Sequence, residues 1–302
     1  MSFSTDVKKE ISMNIPTARH CQIAELAALF EFGGKLIPAE NRMEFQTENS
    51  LAAKLYFTLL QKLCKIRCDV RVIRAHDNVY FLNIYDDDAE KAAKMLKLTE
   101  SRDSVNSLLV EKTCCRRFFV SGAFLAAGSV NNPAKSYHLE IVCSSENQAN
   151  RLMNLINAFG VESRIVIRKK YFVVYLKDGS QIIDMLNIME AHQSLMSMEN
   201  TRIVKEMRNA VNRRVNCETA NIAKTVNAAV KQVNDIEFIK ASGAFATLSE
   251  PLKQLAELRL ANPEASLKEL GTLLEGNVSK SGVNHRLRRL SEIADNLRKK
   301  TQ

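Results

Sequence analysis

Six polar side chains near the C-terminus have the types that read or grip a nucleic acid. They lie within the stretch VSKSGVNHRLRRL and are Lys280, Ser281, Asn284, His285, Arg288 and Arg289. Asparagine can pair with adenine, arginine can bind guanine or phosphate, and serine and lysine suit phosphate. We therefore expect these six residues to contact DNA. The alternative is a charged, solvated face on a structural helix.

The pattern around these residues predicts two helices joined by a short turn. A capping box of Ser266 and Glu269 starts the first helix, and Ser279 is the expected N-cap of the second. Between them, Gly276 and Asn277 both tolerate positive φ. The expected inward positions are Leu267, Leu270, Leu273 and Leu274 in the first helix and Val283, Leu287, Leu290, Ile293, Ala294 and Leu297 in the second. This arrangement predicts a helix-turn-helix unit, with a connection roughly two residues longer than in the tightest examples.

The charge of the chain is concentrated in its last third. The formal net charge is +9, of which residues 201–302 supply +7. This bias favours a polyanionic partner, although a solvated basic face is the alternative. The basic residues that open the segment either touch phosphates or belong to a solvated connector; they are Arg202, Lys205, Arg208, Arg213 and Arg214.

The first two thirds of the chain contain an internal duplication. Residues 3–98 read in the order αα-ββ-α-ββ-α, and the following residues repeat that order. Gly34 aligns with Gly128, and Asp86 aligns with Asp178, at spacings of 92 to 94 residues. A duplicated unit of this kind is expected to fold as a pseudo-dimer about an approximate two-fold axis.

Small residues recur at the same place in both copies, in ELAALFEFGGKL and SGAFLAAGSV. Small side chains let two helix backbones approach closely. We therefore expect a helix from each copy to pack against the other through these positions, which are Ala27, Ala28 and Gly33 in one copy and Gly122, Ala123, Ala126 and Ala127 in the other.

The stretches LAALFEFGG (Leu26 to Gly34) and VSGAFLAAG (Val120 to Gly128) resemble the paired motifs of LAGLIDADG homing endonucleases. The resemblance implies two motif helices above a saddle of antiparallel strands. The eighth motif position carries the metal-binding acid in that family, but here it is Gly33 and Ala127. Neither can ligate a divalent cation. Glu31 is turned roughly 160° away from position 33 on the helix, at about 100° per residue, so we expect no catalytic residue.

The saddle offers a second, weaker DNA surface. The basic residues expected on its strands and turns are Arg71, Arg74, Arg164, Arg168, Lys169 and Lys170. Surface strands also carry such residues for solubility alone. The saddle is otherwise expected to act as a scaffold or as a docking site for a protein.

The whole chain resembles the WhiA family of bacterial regulators. The resemblance rests on MSFSTDVKKEI, GAFLAAGSVNNPAKSYHLEI, RNAVNRRVNCETANI and AELRLANPEASLKELG, together with VSKSGVNHRLRRL. It implies a sequence-specific DNA-binding transcription regulator, linked to sporulation in some relatives and to cell division and chromosome segregation in others. The fold class predicted is α+β, a duplicated LAGLIDADG-like saddle followed by an all-α helix-turn-helix domain. The expected divisions are residues 1–98, 99–192, a helical linker at 193–220, and 221–302.

Cysteine spacing and hydropathy indicate whether the chain has a metal site, a membrane span or a signal peptide. The seven cysteines include Cys64 with Cys68 and the adjacent Cys114 and Cys115, but we find no second ligand pair of zinc-site spacing. We therefore expect buried, reduced thiols, no metal and no cofactor. No apolar run approaches the roughly 18 residues of a membrane span, and the N-terminus lacks signal-peptide order. The expected location is cytoplasmic and nucleoid-associated, with double-stranded DNA as partner, a partner regulator protein left open, and no small-molecule substrate.

Two rival functions stay open on the sequence. One is a metal-dependent endonuclease, which needs an acid where Gly33 or Ala127 stands. The other is a protein-interaction scaffold without sequence-specific DNA binding.

Overall fold

The computed structural model describes residues 2–74, 78–98 and 106–301. The chain divides into two compact units, residues 1–206 and residues 207–302. Among the described residues, none of the helices combines the length and the apolar character needed to cross a bilayer.

The first unit contains two copies of one arrangement, as predicted, except that the described part of the second copy has one α-helix before its sheet where two were expected. The elements of the first copy are α1 (Phe3–Met13), α2 (Arg19–Gly33), β1 (Gly34–Ile37), β2 (Arg42–Thr47), α3 (Ser50–Cys64), β3 (Asp69–Arg74), β4 (Asn78–Tyr85) and α4 (Asp86–Met95). The elements of the second are α5 (Thr113–Ala127), β5 (Gly128–Val130), β6 (Leu139–Cys143), α6 (Glu146–Asn157), β7 (Arg164–Arg168), β8 (Tyr171–Leu176) and α7 (Gly179–Ile188).

The two copies build equivalent antiparallel sheets. The strand orders are β1-β2-β4-β3 and β5-β6-β8-β7, which correspond one to one. The sequence pattern missed the three-residue strand β5, because the long connection through NNPAKSYH carries no hairpin signal. The duplicated α+β fold is confirmed.

The two motif helices, α2 and α5, pack closely where the sequence has small residues. A Cβ on Gly122 would lie 2.7 Å from the Glu25 carbonyl oxygen and 3.0 Å from the Ala28 Cβ. Ala27, Ala28 and Ala123 are fully buried. Any larger side chain at Gly122 would push the two helices apart, so this position fixes their separation.

Gly33 is small for a different reason from the one predicted. A Cβ at this position would lie 2.6 Å from Phe45 Cε2. Gly33 therefore makes room for the aromatic ring of its own β2 strand rather than for α5. The helical pattern could not show this, because the contact depends on how β2 packs under the end of α2.

Gly34 and Gly128 occupy equivalent environments and bear out the duplication at atomic level. A Cβ on either glycine would come within 2.3 Å of a phenylalanine ring four residues earlier, Phe30 or Phe124. Each ring folds back over the helix C-terminus, and only glycine leaves space for it.

Glu25 is a fully buried carboxyl at the interface of the motif helices. Neither of its side-chain oxygens has a hydrogen-bond partner among the described residues. Burial raises the pKa of Glu25 well above its ordinary value, and the negative charge of Glu190 raises it further. Burial at this interface therefore favours the neutral form of the Glu25 carboxyl.

The second unit is helical, as predicted. Its elements are the long helix α8 (His192–Ala241), which begins within the first unit, α9 (Glu250–Ala261), α10 (Leu267–Leu273) and α11 (Lys280–Thr301). Its core includes Ile239, Leu255, Leu270, Val283 and Leu287. The sequence indicated several helices after Glu199, but α8 runs unbroken from His192, and the predicted division at residue 220 falls within it.

Candidate nucleic-acid interface

The first helix of the helix-turn-helix unit begins where its capping box indicates. The Ser266 amide donates to Glu269 Oε2 at 2.7 Å, and the Glu269 amide donates to Ser266 Oγ at 3.3 Å. The preceding loop is held by the buried Arg259, whose Nη1 donates to the carbonyl oxygens of Pro263 at 3.3 Å and Ala265 at 2.7 Å. Because the capping box binds the first amides of α10 and Arg259 holds the loop before it, the start of α10 is fixed in place.

The turn after α10 depends on glycine. A Cβ on Gly271 would lie 2.2 Å from the Val278 carbonyl oxygen. The Val278 amide donates to the Gly271 carbonyl at 3.0 Å, which ties the turn back onto the helix. Gly276 has a φ of 87° and Asn277 a φ of 46°, so the two residues predicted to tolerate positive φ adopt it.

The second helix, α11, starts at the predicted cap. The Gly282 amide donates to Ser279 Oγ at 3.3 Å. The expected inward residues of α11 are buried or half-buried: Val283, Leu287, Leu290, Ile293, Ala294 and Leu297. In α10 the prediction was wrong for Leu273, whose side chain is 53% exposed. Leu273 is the last residue of α10, and the chain turns to an extended conformation at Leu274, which places the Leu274 side chain in the core instead.

Five of the six predicted contact residues of α11 are exposed, namely Lys280, Ser281, His285, Arg288 and Arg289. At about 100° per residue, Ser281, His285 and Arg288 lie within roughly 60° of one another, opposite the buried stripe. Lys280 and Arg289 lie at the two edges of this face. The structure thus brings these side chains onto one surface, and their contact with DNA stays a prediction.

Charge is distributed unevenly along α11. Its first twelve residues, 280–291, contain four basic side chains and no acid. Glu292 and Asp295 come later, and Glu292 Oε2 pairs with Arg289 Nη1 at 3.1 Å. The positive end of the helix dipole lies at this same basic terminus. A phosphate backbone is therefore best accommodated at the start of α11.

Asn284 differs from the other five residues because it is half-buried. It lines a groove of about 720 Å³ within the second unit, formed by residues 224–234 of α8 and the loop from Pro263 to Leu267. Asn284 therefore lies at the border between this groove and the exposed face of α11.

Strand register shows which basic residues of the first sheet share its polar face. Glu44 pairs with Lys35 on β1 and with Asn83 on β4, and Arg71 pairs with Phe81. Residues directly opposite one another point to the same face, and alternate residues along a strand do so too. Arg71 therefore shares the polar face with Glu44. Arg74, three residues further along β3, points to the opposite face.

In the second sheet, both predicted strand arginines lie on the polar face. Arg164 pairs with Tyr175, Arg168 pairs with Tyr171, and Glu140 is on the same face through its pairing with Tyr175. The predicted turn residues follow β7: Lys169 has a φ of 56°, and Lys170 Nζ lies 5.3 Å from the centre of the Tyr171 ring.

On each polar face a glutamate lies among the basic residues and pairs with some of them. Glu140 Oε2 lies 2.8 Å from His138 Nε2 and 2.7 Å from Arg168 Nη1. Glu44, at the equivalent place in the first sheet, lies 2.8 Å from Lys35 Nζ and 3.3 Å from Arg42 Nη1. Neither glutamate was predicted from the sequence. The signal that could have identified them is the 96-residue spacing between them.

The ends of the motif helices carry no acid at the eighth motif position, which is Gly33 or Ala127. Glu31, the nearest acid, is buried and forms an ion pair with Arg151 of α6. Arg151 also lies over the Phe119 ring, with its Cζ 5.3 Å from the ring centre. Glu31 is thus engaged inside the fold, on a different side of α2 from Gly33.

The N-terminal ends of α2 and α5 bring together four side chains whose proximity was not predicted from the sequence. His20 and Cys21 of α2 lie beside Cys114 and Cys115 of α5. All seven cysteines fall within the described residues, and all are free thiols.

These features define the class of protein: a duplicated saddle with two motif helices, followed by a capped helix-turn-helix unit. Three family models match the chain, the WhiA N-terminal LAGLIDADG-like domain at residues 19–99, the WhiA LAGLIDADG-like domain at 116–208 and the WhiA C-terminal HTH domain at 211–294. The chain belongs to the WhiA family.

Individual relatives are similar to this chain over nearly their full length. The "Probable cell division protein WhiA" of Lachnoclostridium phytofermentans is 48% identical, covering 99% of this chain and 100% of the relative. The protein of the same name from Clostridium novyi is 45% identical, covering 99% of each. The crystal structure of full-length DUF199/WhiA from Thermotoga maritima is similar with a TM-score of 0.62 and 25% identity, covering 98% of this chain and 99% of that one.

Proposed function

We propose that this chain is a non-enzymatic, DNA-binding regulator in which α11 makes the main contact with double-stranded DNA. The observation that carries the proposal is the first half of α11, where an exposed basic face without acids stands opposite a fully packed apolar face. A helix seated in this way can enter the major groove while the rest of its unit stays rigid.

The residues divide into two roles. Lys280 and Ser281, at the helix N-terminus, are placed to bind phosphate, where the helix dipole adds to the attraction. His285 and Arg288 follow one and two turns later on the same face and are placed to reach base edges. Asn284 contributes an amide that can pair with adenine from the edge of this surface.

The saddle acts as a scaffold rather than as a nuclease. Gly33 and Ala127 offer no side-chain carboxylate to a divalent cation, and two-metal phosphodiester cleavage requires such ligands. Glu31 does not substitute, since its buried carboxylate pairs with the half-buried Arg151. The polar faces of the two sheets remain available for a weak DNA contact or for a partner regulator protein.

The biological process is proposed from the relatives. They carry the name "Probable cell division protein WhiA". We place this chain in the same process, acting at the nucleoid through transcription or chromosome partition.

A salt-dependent mobility shift on fragments of the host chromosome tests DNA binding. We expect selected fragments to bind tightly, with affinity falling steeply as salt rises, because phosphate neutralisation releases counterions. The matched variant is His285→Ala, which should narrow the difference in affinity between selected and random fragments. Equal, weak binding to every fragment by the native protein would favour the interaction-scaffold alternative.

A plasmid-nicking assay with Mg²⁺ or Mn²⁺ tests the absence of catalysis. We expect no cleavage above a metal-free control. Cleavage that co-purifies with the protein and disappears in the Glu31→Gln variant would show that the saddle is an active nuclease.

A further inference from the structure

The N-terminal ends of the two motif helices bring four metal-ligating side chains together. His20 and Cys21 are the second and third residues of α2, and Cys114 and Cys115 are the second and third residues of α5. Their ligand atoms, one nitrogen and three sulfurs, all lie within 4.8 Å of one another. We call these four residues the Cys3His cluster.

The internal duplication explains how the cluster arises. His20 is 94 residues before Cys114, and Cys21 is 94 residues before Cys115, the same spacing that relates Gly34 to Gly128. Each copy therefore supplies one pair of adjacent ligands from the first turn of its motif helix. Because α2 and α5 pack side by side, the two pairs meet.

The distances fit a tetrahedral centre. His20 Nδ1 lies 3.2 Å from Cys115 Sγ, 3.2 Å from Cys21 Sγ and 4.0 Å from Cys114 Sγ. Zinc–sulfur bonds of about 2.3 Å require ligand atoms roughly 3.5–3.8 Å apart around a tetrahedron. Side-chain movements of about 1 Å or less bring the four atoms to that spacing.

The surroundings of the cluster are those of a closed site with one accessible side. Cys21 and Cys115 are 3% and 4% exposed, and they pack with Ala24 and against Ala18 and Phe118. His20 and Cys114 are exposed, so an ion can enter from solvent. Ordinary core thiols need no histidine, and the convergence of three sulfurs on one imidazole nitrogen is not required for packing.

We propose that the Cys3His cluster binds one zinc ion, which links the two halves of the saddle. Three thiolates and one imidazole form a common ligand set for structural zinc, and they disfavour Mg²⁺ and Ca²⁺, which prefer oxygen. The positive ends of two helix dipoles point toward this thiolate-rich set. The site stands at the other end of the motif helices from Gly33 and Ala127, so its role is structural and separate from DNA contact.

Cobalt substitution of the reduced, full-length protein tests the proposal. We expect about one equivalent of Co²⁺ to give the intense visible bands of a tetrahedral centre and a thiolate-to-cobalt charge-transfer band. Zinc should displace the cobalt and abolish both. At about 100 times its dissociation constant, zinc should also raise the unfolding temperature by roughly 5–10 °C.

The variant His20→Ala with Cys114→Ser removes one exposed ligand from each helix and leaves the buried thiols in place. We expect it to fold, to lose the cobalt spectrum and to show no zinc-dependent stabilisation. The matched control is Cys217→Ser, an exposed thiol on α8, which should behave as the native protein does. An unchanged spectrum in the double variant, no tetrahedral spectrum in the native protein, or a disulfide within the cluster of freshly purified, alkylated protein would overturn the proposal.

Discussion

The start of α11 and the polar faces of the saddle sheets both present basic side chains, but they treat the charge differently. On α11 the acids come after residue 291, and Arg289 is paired with Glu292 only at the edge of the face. On the sheets, Glu140 binds Arg168 and the His138 ring, and Glu44 binds Lys35 and Arg42.

The number of basic residues alone therefore does not identify a DNA surface. A cation already paired with a carboxylate contributes little to counterion release, because binding a phosphate requires it to give up its partner. The unneutralised face of α11 is therefore the stronger candidate. The duplicated glutamates lower the positive charge of the polar face in both halves.

The largest expected effect comes from removing two cations from each region. The variant Lys280→Ala with Arg288→Ala should lower affinity for a selected fragment by at least about 30-fold, at roughly 1–3 kcal/mol for each side chain. The matched variant is Arg164→Ala with Arg168→Ala, which should lower it by less than about 3-fold. Fluorescence anisotropy at several salt concentrations measures both affinities.

The slope of log affinity against log salt concentration gives a second readout. It should decrease in magnitude by about one for each phosphate that the variant no longer neutralises, and only in the α11 variant. Equal losses of affinity in the two variants would abolish the distinction between the regions.

A smaller effect is expected from changing the turn that orients α11. Gly271→Ala places a methyl group against the Val278 carbonyl oxygen, a backbone atom that cannot easily move. We expect the second unit to lose about 1–3 kcal/mol of stability and DNA affinity to fall with it. Chemical unfolding followed by circular dichroism measures the first quantity.

The control for this turn is Gly282→Ala, whose Cβ would meet a movable side-chain atom, Val278 Cγ1, at 2.7 Å. Alanine also favours a helix more than glycine does. The stability of the Gly282→Ala protein should therefore stay close to that of the native protein. A Gly271→Ala protein with native stability and native affinity would show that the turn does not orient α11.

The smallest expected effect sharpens the role of the saddle glutamates. Glu140→Gln removes the carboxylate partner of His138 and Arg168, and Glu44→Gln removes that of Lys35, while Arg42 keeps its ion pair with Glu40. We expect affinity for random DNA at low salt to rise by about 1.5- to 5-fold, since an ion pair of an exposed cation such as Lys35 or Arg168 is worth roughly 0.2–1 kcal/mol. Glu292→Gln on α11 is the matched change. No increase in either saddle variant would mean that these faces do not approach DNA.

Local signals were sufficient to predict much of this molecule from sequence. The capping box at Ser266, the cap at Ser279 and the positive φ at Gly276 depend on residues only a few positions apart, so the pattern contains them. The duplication was visible for the same reason, because both copies repeat their local pattern at a fixed spacing.

Long-range features of the fold were harder to predict. The face of Arg74 depends on strand register, and the reason for Gly33 depends on a ring from β2. The Cys3His cluster requires the knowledge that two helix starts meet. The 94-residue spacing could have revealed it, had His20 been aligned with Cys114 as Gly34 was with Gly128.

The ion pair between Glu31 and Arg151 breaks the symmetry of the saddle. The equivalent positions in the opposite copies are Leu125 and Leu55, both buried. Two first copies meeting each other would set a carboxylate against leucine on both sides, and two second copies would strand two guanidinium groups in the same way. Covalent fusion of the halves thus permits complementary side chains of unlike chemistry, which favour the pairing of a first copy with a second copy over the pairing of two like copies.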